Sequence, residues 1–455
     1  MNKTFDFLEK HLMKPMGKLA QTKIVRAVMA AGMASIPFTI VGSMFLVLNI
    51  IPMAFNNAAL ENLFNNTIYR YSSLYMVANT ATMGMLALYF GIVIGYELTK
   101  IERDEEKLNV SPVTGALLSM FAFLMTLPEI VMNNGRMELV NIVTDNEKVI
   151  SGFRVSGGVD RLGAIGIFTA IIMAIVATRL YFMCVRRNWV IKMPDTVPPG
   201  VSRSFTALIP TFVIAFAIIL INGILIFLGT DIFKLIYIPF SFVTNLTNSW
   251  IGILVIYFLI HALWVVGIHG ATIIGSFLTP IVLANMAANA NGANYPFAGE
   301  FQNSYVINGG SGATLGLVLF LAFFAKSDQL KVLGKASVTP GIFNINEPLI
   351  FGLPIVYNPY LALPFFLAPM TTASIAYFAI KLEIVRPIVA QMPWPSPVGI
   401  GAFIGSGGDW KAIILSLVCS VVAFVIWYPF IKMYDSKLYK EEQGVKTTQN
   451  PVEAK

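Results

Sequence analysis

A single acidic residue interrupts a long apolar stretch near position 347. The segment reads Asn344-Ile345-Asn346-Glu347-Pro348-Leu349-Ile350-Phe351-Gly352 and places one carboxylate and two amides among apolar side chains. An ionisable group at membrane depth is costly unless it faces protein or a water-filled cavity. Pro348 and Gly352 indicate irregular backbone, which a bilayer tolerates only inside protein or along a cavity. Glu347 is therefore the first candidate for binding a solute.

A histidine ends an apolar span in the segment Trp264-Val265-Val266-Gly267-Ile268-His269-Gly270. The imidazole of His269 can hydrogen-bond a sugar hydroxyl or relay a proton; the alternative is a histidine that only satisfies a backbone carbonyl. The two glycines of this segment would let the backbone approach a ligand closely. On an unbroken helix Trp264 and His269 would point about 140° apart, so both contact one ligand only if the helix breaks near Gly267. His261 is predicted to be a packing residue.

Two further segments have unusual composition. Gln391-Met392-Pro393-Trp394-Pro395-Ser396-Pro397 has three prolines in five residues, which excludes a helix. Trp394 is either a stacking platform for the apolar face of a sugar ring or a member of the aromatic belt at the membrane surface. The small residues at 308–316 open a span, where we expect close helix packing; a backbone lining for the solute is the alternative.

The composition is that of a membrane protein. Of 455 residues, 56% are hydrophobic and 12% are charged, against about 25% charged in soluble proteins. The net charge of +7 comes from basic residues in short loops and at the chain ends, as membrane orientation requires, so no nucleic acid is expected as a partner. Cys184 and Cys419 lie in or beside apolar runs without a metal or disulfide pattern. With no nucleotide, metal or nucleophile motif, we expect no metal, no cofactor and no ATP hydrolysis.

Apolar runs long enough to cross a hydrocarbon core of about 30 Å recur along the chain. Spans are predicted at residues 24–52, 73–98, 111–132, 162–185, 205–229, 249–268, 312–326, 359–381 and 410–431. An amphipathic connector is predicted at 231–247. Apolar but broken pieces lie at 271–292, 338–356 and 384–405, and the last two are predicted to be re-entrant hairpins.

The two halves of the chain differ in character, because regular spans fill the first and broken helices with polar residues fill the second. We predict a scaffold and dimerisation half at 1–229, a connector at 230–248, a substrate-binding transport half at 249–433 and a tail at 434–455. Lys and Arg clusters precede the first span and follow the second and fourth, which places the N-terminus and the tail in the cytoplasm. The polar tail from Asp435 is predicted to be disordered.

His269-Gly270, followed 75 residues later by Asn344-Ile345-Asn346-Glu347-Pro348, resembles the membrane IIC component of the bacterial sugar phosphotransferase system. Phe7-Leu8-Glu9-Lys10 and the span with Ile36-Pro37 are similar as well, and the chain looks most like the lactose, cellobiose and diacetylchitobiose branch. The resemblance implies an all-α polytopic fold of the glucose-superfamily IIC type, with about ten transmembrane helices plus re-entrant hairpins. It also implies a homodimer in the bacterial plasma membrane.

The resemblance further implies uptake of a β-linked disaccharide, coupled to its phosphorylation by a cysteine of a IIB protein. Because only a short tail follows the last span, IIB and IIA would be separate chains. Glu347 and His269 would contact the hydroxyls nearest the phosphorylation point, with one of them as a base. The predicted substrate-binding residues are His269, Glu347, Asn344, Asn346, Trp264, Trp394 and Gly270. Asn344 and Asn346 would shape the hairpin.

A proton-coupled sugar symporter is the alternative function. Its energy would come from protonation of Glu347 or His269, with no partner protein. A scaffold or channel without directed transport fits less well, because the Glu, His and Asn residues cluster in broken helices.

Overall fold

A computed structural model describes residues 18, 21–54, 58–127, 130–133, 136–139, 160–163, 166–194, 199–265, 269–353, 355 and 359–449. These residues are almost entirely helical, as the all-α prediction requires. The strands among them form a short antiparallel hairpin of β1 (Ile130–Asn133) and β2 (Arg136–Leu139), in which Val131 pairs with Glu138.

The helices of the first half of the chain are α1 (Lys23–Ala54), α2 (Ala58–Asn66), α3 (Ser72–Thr82), α4 (Leu86–Glu105), α5 (Pro112–Leu124), α6 (Ile167–Arg186), α7 (Pro199–Phe227) and α8 (Ile232–Thr247). Those of the second half are α9 (Trp250–Val265), α10 (Gly270–Ala290), α11 (Leu315–Phe324), α12 (Asp328–Ile342), α13 (Glu347–Gly352), α14 (Pro359–Lys381), α15 (Ile400–Gly405) and α16 (Trp410–Gln449). The predicted connector at 231–247 is therefore a helix, α8.

Six helices of the described residues are long and apolar enough to cross a membrane. They lie at Lys23–Leu48, Tyr69–Glu105, Ile167–Arg186, Phe205–Phe227, Leu361–Lys381 and Trp410–Gln443. Four shorter apolar helices lie at Pro112–Leu124, Trp250–Val265, Phe277–Ala290 and Leu315–Phe324. The expected number of about ten spans stays a prediction.

Two segments of the structure differ from their predictions. The helix of the third span ends at Leu124, and the last residues assigned to that span belong to β1. The piece at 271–292 is not broken, since α10 runs continuously to Ala290 with Pro280 inside it. A proline removes one helical hydrogen bond and kinks a helix, but neighbouring packing allows the helix to continue.

The predicted disorder of the tail is wrong as far as Gln449, where α16 ends; residues 450–455 lie outside the described residues. The carboxylate of Asp435 accepts the backbone N–H groups of Lys326 and Ser327 at 2.9–3.0 Å. Glu442 accepts the N–H groups of Asp328 and Gln329 at 3.0 and 3.2 Å. These N–H groups belong to the start of α12, where a helix has no acceptors of its own and favours negative charge. Distant contacts, absent from any local pattern, therefore order the tail.

Contacts divide the chain into two compact units. Among the described residues, the N-terminal unit comprises 18–45 and 72–244, and the C-terminal unit comprises 46–71 and the residues from 245 onward. The division into scaffold, connector, transport half and tail is a functional one and stays a prediction.

Ion pairs join helix ends within the N-terminal unit. Lys23, at the start of α1, contacts Glu102 at 2.9 Å and Glu106 at 2.7 Å. Arg186, at the end of α6, also contacts Glu102, and Arg26 pairs with Glu105. The start of α1 and the ends of α4 and α6 therefore lie at one face, as the three basic clusters of the sequence predict.

Candidate functional site

A helix break lies between Trp264 and His269, as a shared ligand contact of the two side chains would require. Helix α9 ends at Val265 and α10 begins at Gly270, with His269 as its N-cap residue. The break brings the Trp264 and His269 rings to a centroid distance of 4.4 Å. Trp264 is buried, and its indole N–H has no hydrogen-bond partner among the described residues. Two of the predicted site residues are thus adjacent, with an unused donor beside them.

The hydrogen bonds of His269 determine its neutral tautomer. Nδ1 accepts the backbone N–H of Thr272 at 3.1 Å and lies 2.8 Å from the Thr272 hydroxyl. An amide N–H can only donate, so Nδ1 carries no proton and the neutral ring carries its proton on Nε2. The ring is exposed. His269 therefore offers an N–H donor to a ligand while its other nitrogen caps the helix.

Gly270 has a packing reason for being a glycine. A Cβ at this position would lie 2.0 Å from the carbonyl oxygen of Ile260, so only glycine lets α10 start this close to α9. Its predicted contact with a ligand stays a prediction.

Glu347 is the first residue of α13. Its Oε2 atom is buried and has no hydrogen-bond partner among the described residues. The carboxylate also interacts electrostatically with the His269 imidazole. A buried acceptor without a partner is costly and rare, so a ligand group is expected to satisfy this oxygen. The structure therefore brings both predicted catalytic residues, although they are 78 positions apart, into one region.

Asn344 holds three segments together. Its backbone is left-handed, with φ of 61°, in the turn between α12 and α13. Its side-chain oxygen accepts the N–H of Gly309 at 2.8 Å. Its amide donates to the carbonyl oxygens of Asn303 at 3.1 Å and Ser396 at 3.4 Å. Both ends of the side chain are thus used within the protein.

Asn346 connects the same turn to the small-residue segment through its side-chain amide group. Its amide donates to the Ser311 carbonyl at 2.7 Å and to the Thr314 hydroxyl at 2.8 Å. A Cβ on Gly310, whose φ is 99°, would lie 2.2 Å from the Asn346 side chain. The turn that contains Asn346 therefore packs directly against the small-residue segment at 308–316.

The segment 308–314 is an irregular loop, whereas the sequence led us to expect close packing between helices. Helix α11 begins only at Leu315. Gly312 donates its N–H to Nε2 of His261 at 3.0 Å and accepts the indole N–H of Trp427 at 2.8 Å. His261 Nδ1 lies 2.7 Å from the Tyr257 carbonyl. The prediction that His261 is a packing residue is confirmed, because both of its nitrogens bind backbone.

Both predicted hairpin segments contain a turn; that they re-enter the membrane stays a prediction. The first is α12, the turn at Asn344 and α13. The second is closed at its base, where the N–H groups of Val389 and Ala390 donate to Gly405 at 2.8 and 3.1 Å. Trp394, between the prolines, is 47% exposed. The contacts of the described residues connect the Trp394 loop to Asn344, and they do not bring the Trp394 ring to His269 or Glu347.

One polar residue of this region escaped the sequence reasoning. Glu300 accepts hydrogen bonds from the side-chain amides of Asn303 and Gln391. The signal was available, since Glu300 is the only acidic residue between Asp231 and Asp328. The logic that singled out Glu347 applies to it equally.

The fold and the site define a multi-pass membrane protein with a cluster of polar side chains among broken helices and turns. The family "Phosphotransferase system, EIIC" matches residues 29–369. The lichenan permease IIC component of Bacillus subtilis (strain 168) is 34% identical, over 99% of this chain and 98% of its own. The cellobiose-specific EIIC component of Geobacillus stearothermophilus is also 34% identical, over 98% and 97% of the two chains.

A solved structure is similar as well. The crystal structure of ChbC, the IIC component from the N,N'-diacetylchitobiose-specific phosphotransferase system, has a TM-score of 0.83 and 33% identity. The match covers 96% of this chain and 99% of that one. The chain belongs to the phosphotransferase system EIIC family and is an integral membrane permease component.

Proposed function

We propose that this chain binds a β-linked disaccharide, carries it across the membrane and presents it for phosphorylation. The names of similar proteins support this sugar class, because lichenan, cellobiose and diacetylchitobiose are all β-linked. The observation that carries the proposal is an unpartnered Glu347 oxygen in the same region as a His269 ring whose Nδ1 already accepts an N–H, which leaves Nε2–H as the donor for a ligand. A sugar hydroxyl, which both donates and accepts hydrogen bonds, fits between such groups.

The tautomer of His269 separates the roles of the two residues. A neutral ring with its proton on Nε2 donates to the hydroxyl oxygen and cannot also remove the hydroxyl proton. Glu347 is then the base. In the transfer, the S–P bond of the phosphocysteine breaks, the sugar oxygen forms a bond to phosphorus, and the hydroxyl proton passes to the Glu347 carboxylate. Asn344 and Asn346 support the turn that carries Glu347.

The phosphoryl group comes from a separate IIB protein that is recharged by IIA. Both cysteines of this chain, Cys184 and Cys419, are buried. An apolar environment disfavours the thiolate that phosphoryl transfer needs. This chain thus acts as the membrane subunit of the phosphotransferase and carries no phosphoryl group itself.

Transport requires the sugar to change sides. In this proposal the chain is a homodimer through its first half, and residues 249–433 move as a body between outward and inward positions. The N-terminus and the tail are cytoplasmic. The common face formed by Lys23, Glu102 and Arg186 supports this orientation, because it gathers the basic clusters on one side.

The test replaces Glu347 with Gln in the full-length protein, with Glu383→Gln as the matched control. We expect Glu347→Gln to weaken cellobiose binding and phosphorylation by IIA and IIB by about one to two decades, because a charge-assisted hydrogen bond contributes about 1.5–3 kcal/mol. The thermal unfolding of both variants should match that of the parent. A Glu347→Gln protein that binds and phosphorylates cellobiose like the parent would contradict the proposed site.

The comparisons give no support to a proton-coupled symporter. Vesicles that contain this chain without IIB provide the discriminating measurement. A pH gradient should drive no sugar accumulation in them, and accumulation would count against the phosphotransferase function. Replacing both cysteines with serine should leave phosphorylation intact.

A further inference from the structure

The loop that carries Trp394 is attached to the protein on both sides of the tryptophan. Before it, the Gln391 side-chain amide donates to Oε1 of Glu300. After it, the Ser396 carbonyl accepts the Asn344 amide at 3.4 Å, and the Val398 N–H donates to Ile342 at 3.1 Å. The prolines between these contacts restrict φ. The backbone beside Trp394 therefore has little freedom, while the ring itself remains 47% exposed.

Glu300 connects this loop to the turn that precedes Glu347. Its other oxygen, Oε2, accepts the side-chain amide of Asn303. The backbone carbonyl of Asn303 in turn accepts the Asn344 amide at 3.1 Å. Gln391, Glu300, Asn303, Asn344 and Ser396 thus form a closed series of hydrogen bonds that begins and ends on the Trp394 loop.

Both carboxyl oxygens of Glu300 accept hydrogen bonds in this series. Among the described residues, no lysine, arginine or histidine forms an ion pair with Glu300, so amide groups are the partners that satisfy it. A side chain held in its binding orientation before the ligand arrives loses less entropy on binding.

We infer that Glu300 is a positioning residue that holds the Trp394 ring in the orientation needed to stack on the sugar. The inference rests on the proposed sugar binding and on the predicted role of Trp394 as a stacking platform for the sugar ring. Glu300 itself touches no sugar in this scheme and acts through Gln391 and the loop.

A double-mutant cycle tests whether Glu300 acts through Trp394. Cellobiose binding is measured for the full-length parent, Glu300→Ala, Trp394→Ala and the double variant. We expect each single variant to weaken binding about tenfold, since an aromatic contact contributes about 0.5–1.5 kcal/mol. The double variant should bind no more weakly than Trp394→Ala alone, because the ring that Glu300 orients is already gone.

Exchanging the acid and the amide between Glu300 and Gln391 gives a second test. A general loss of stability could not produce recovery of binding in the exchanged pair. Gln391→Glu places two carboxylates opposite each other and should weaken binding about as much as Glu300→Ala. Adding Glu300→Gln restores a donor and an acceptor with their roles reversed. This exchanged pair should bind cellobiose within about threefold of the parent. The exchange also carries the test if Glu300→Ala fails to fold.

Several results would overturn the inference. Losses that multiply in the Glu300→Ala/Trp394→Ala variant would mean that Glu300 contacts the sugar directly. An exchanged pair as defective as Gln391→Glu would mean that the Glu300–Gln391 contact is not responsible. Parent-like binding by Trp394→Ala would remove the ring from the site as well. None of these results would contradict the proposed function, which the Glu347→Gln measurement tests separately.

Discussion

The two units of this protein use polar side chains in different ways. In the N-terminal unit, charged residues pair with each other at the ends of regular helices, as Lys23 and Arg186 do with Glu102. In the C-terminal unit, neutral side chains bind the backbone of irregular loops, as His261 does with Gly312 and Asn346 with Ser311. In the N-terminal unit, ion pairs connect the ends of regular helices. In the C-terminal unit, side chains supply the hydrogen bonds that the backbone of irregular loops cannot form with itself.

This difference explains where a solute site can form in a membrane. Every backbone N–H and C=O at membrane depth needs a partner inside the protein. Regular helices satisfy this need alone and leave no polar surface for a ligand. The Asn344–Glu347 turn and the 308–314 loop meet it through amides and an imidazole, so Glu347 can keep a carboxylate oxygen unused.

The largest effect is expected where the loop and the turn touch. Gly310→Ala forces a side chain into a φ of 99° and against Asn346. Backbone strain and the displaced Asn346 amide together should lower the free energy of unfolding by on the order of 3 kcal/mol. Gly275→Ala is the control, because a Cβ there meets nothing within 4 Å inside α10, and it should be neutral or slightly stabilising. Equal thermal unfolding of the two variants would show that the loop is not tightly packed.

The next largest effect distinguishes a structural role of His261 from a functional role of His269. His261→Leu leaves the buried N–H of Gly312 without its acceptor, and should lower the free energy of unfolding by about 1–3 kcal/mol. His269→Leu removes a helix cap, which costs about 1 kcal/mol, and should strongly reduce sugar phosphorylation. Unfolding and phosphorylation measured on both variants check this contrast. A His261→Leu protein of parental stability would mean that the 308–314 loop finds other partners.

The smallest effect belongs to the ion pairs of the N-terminal unit. The hydrogen bond from Lys23 lowers the pKa of Glu106. The stabilisation is therefore present above the ordinary glutamate pKa of about 4.3 and is lost as the pH falls through the lowered value. Unfolding midpoints between about pH 3 and pH 6 should fall slightly less on acidification in Glu106→Gln than in the parent. A steeper fall in the variant would contradict the pairing, and high salt should reduce the difference.

The sequence alone determined the features that depend on local composition. Long apolar runs predict membrane helices wherever they occur, and a proline-rich or acidic interruption predicts a hairpin without reference to the rest of the chain. The turns in both predicted hairpin segments and the packing role of His261 followed from such signals. The Asn-x-Asn-Glu-Pro and His-Gly elements also carried the resemblance to the IIC component, and the family assignment agrees with it.

Only the tertiary structure decided which polar groups were used by the protein and which were left free. Asn346 reaches a loop 35 residues away, Glu300 reaches Gln391 across 91 residues, and Asp435 meets the start of α12 across 109 residues. Such pairings depend on how helices pack, which no local pattern specifies. For this reason the sequence predicted disorder for a tail that is helical as far as Gln449, and passed over Glu300.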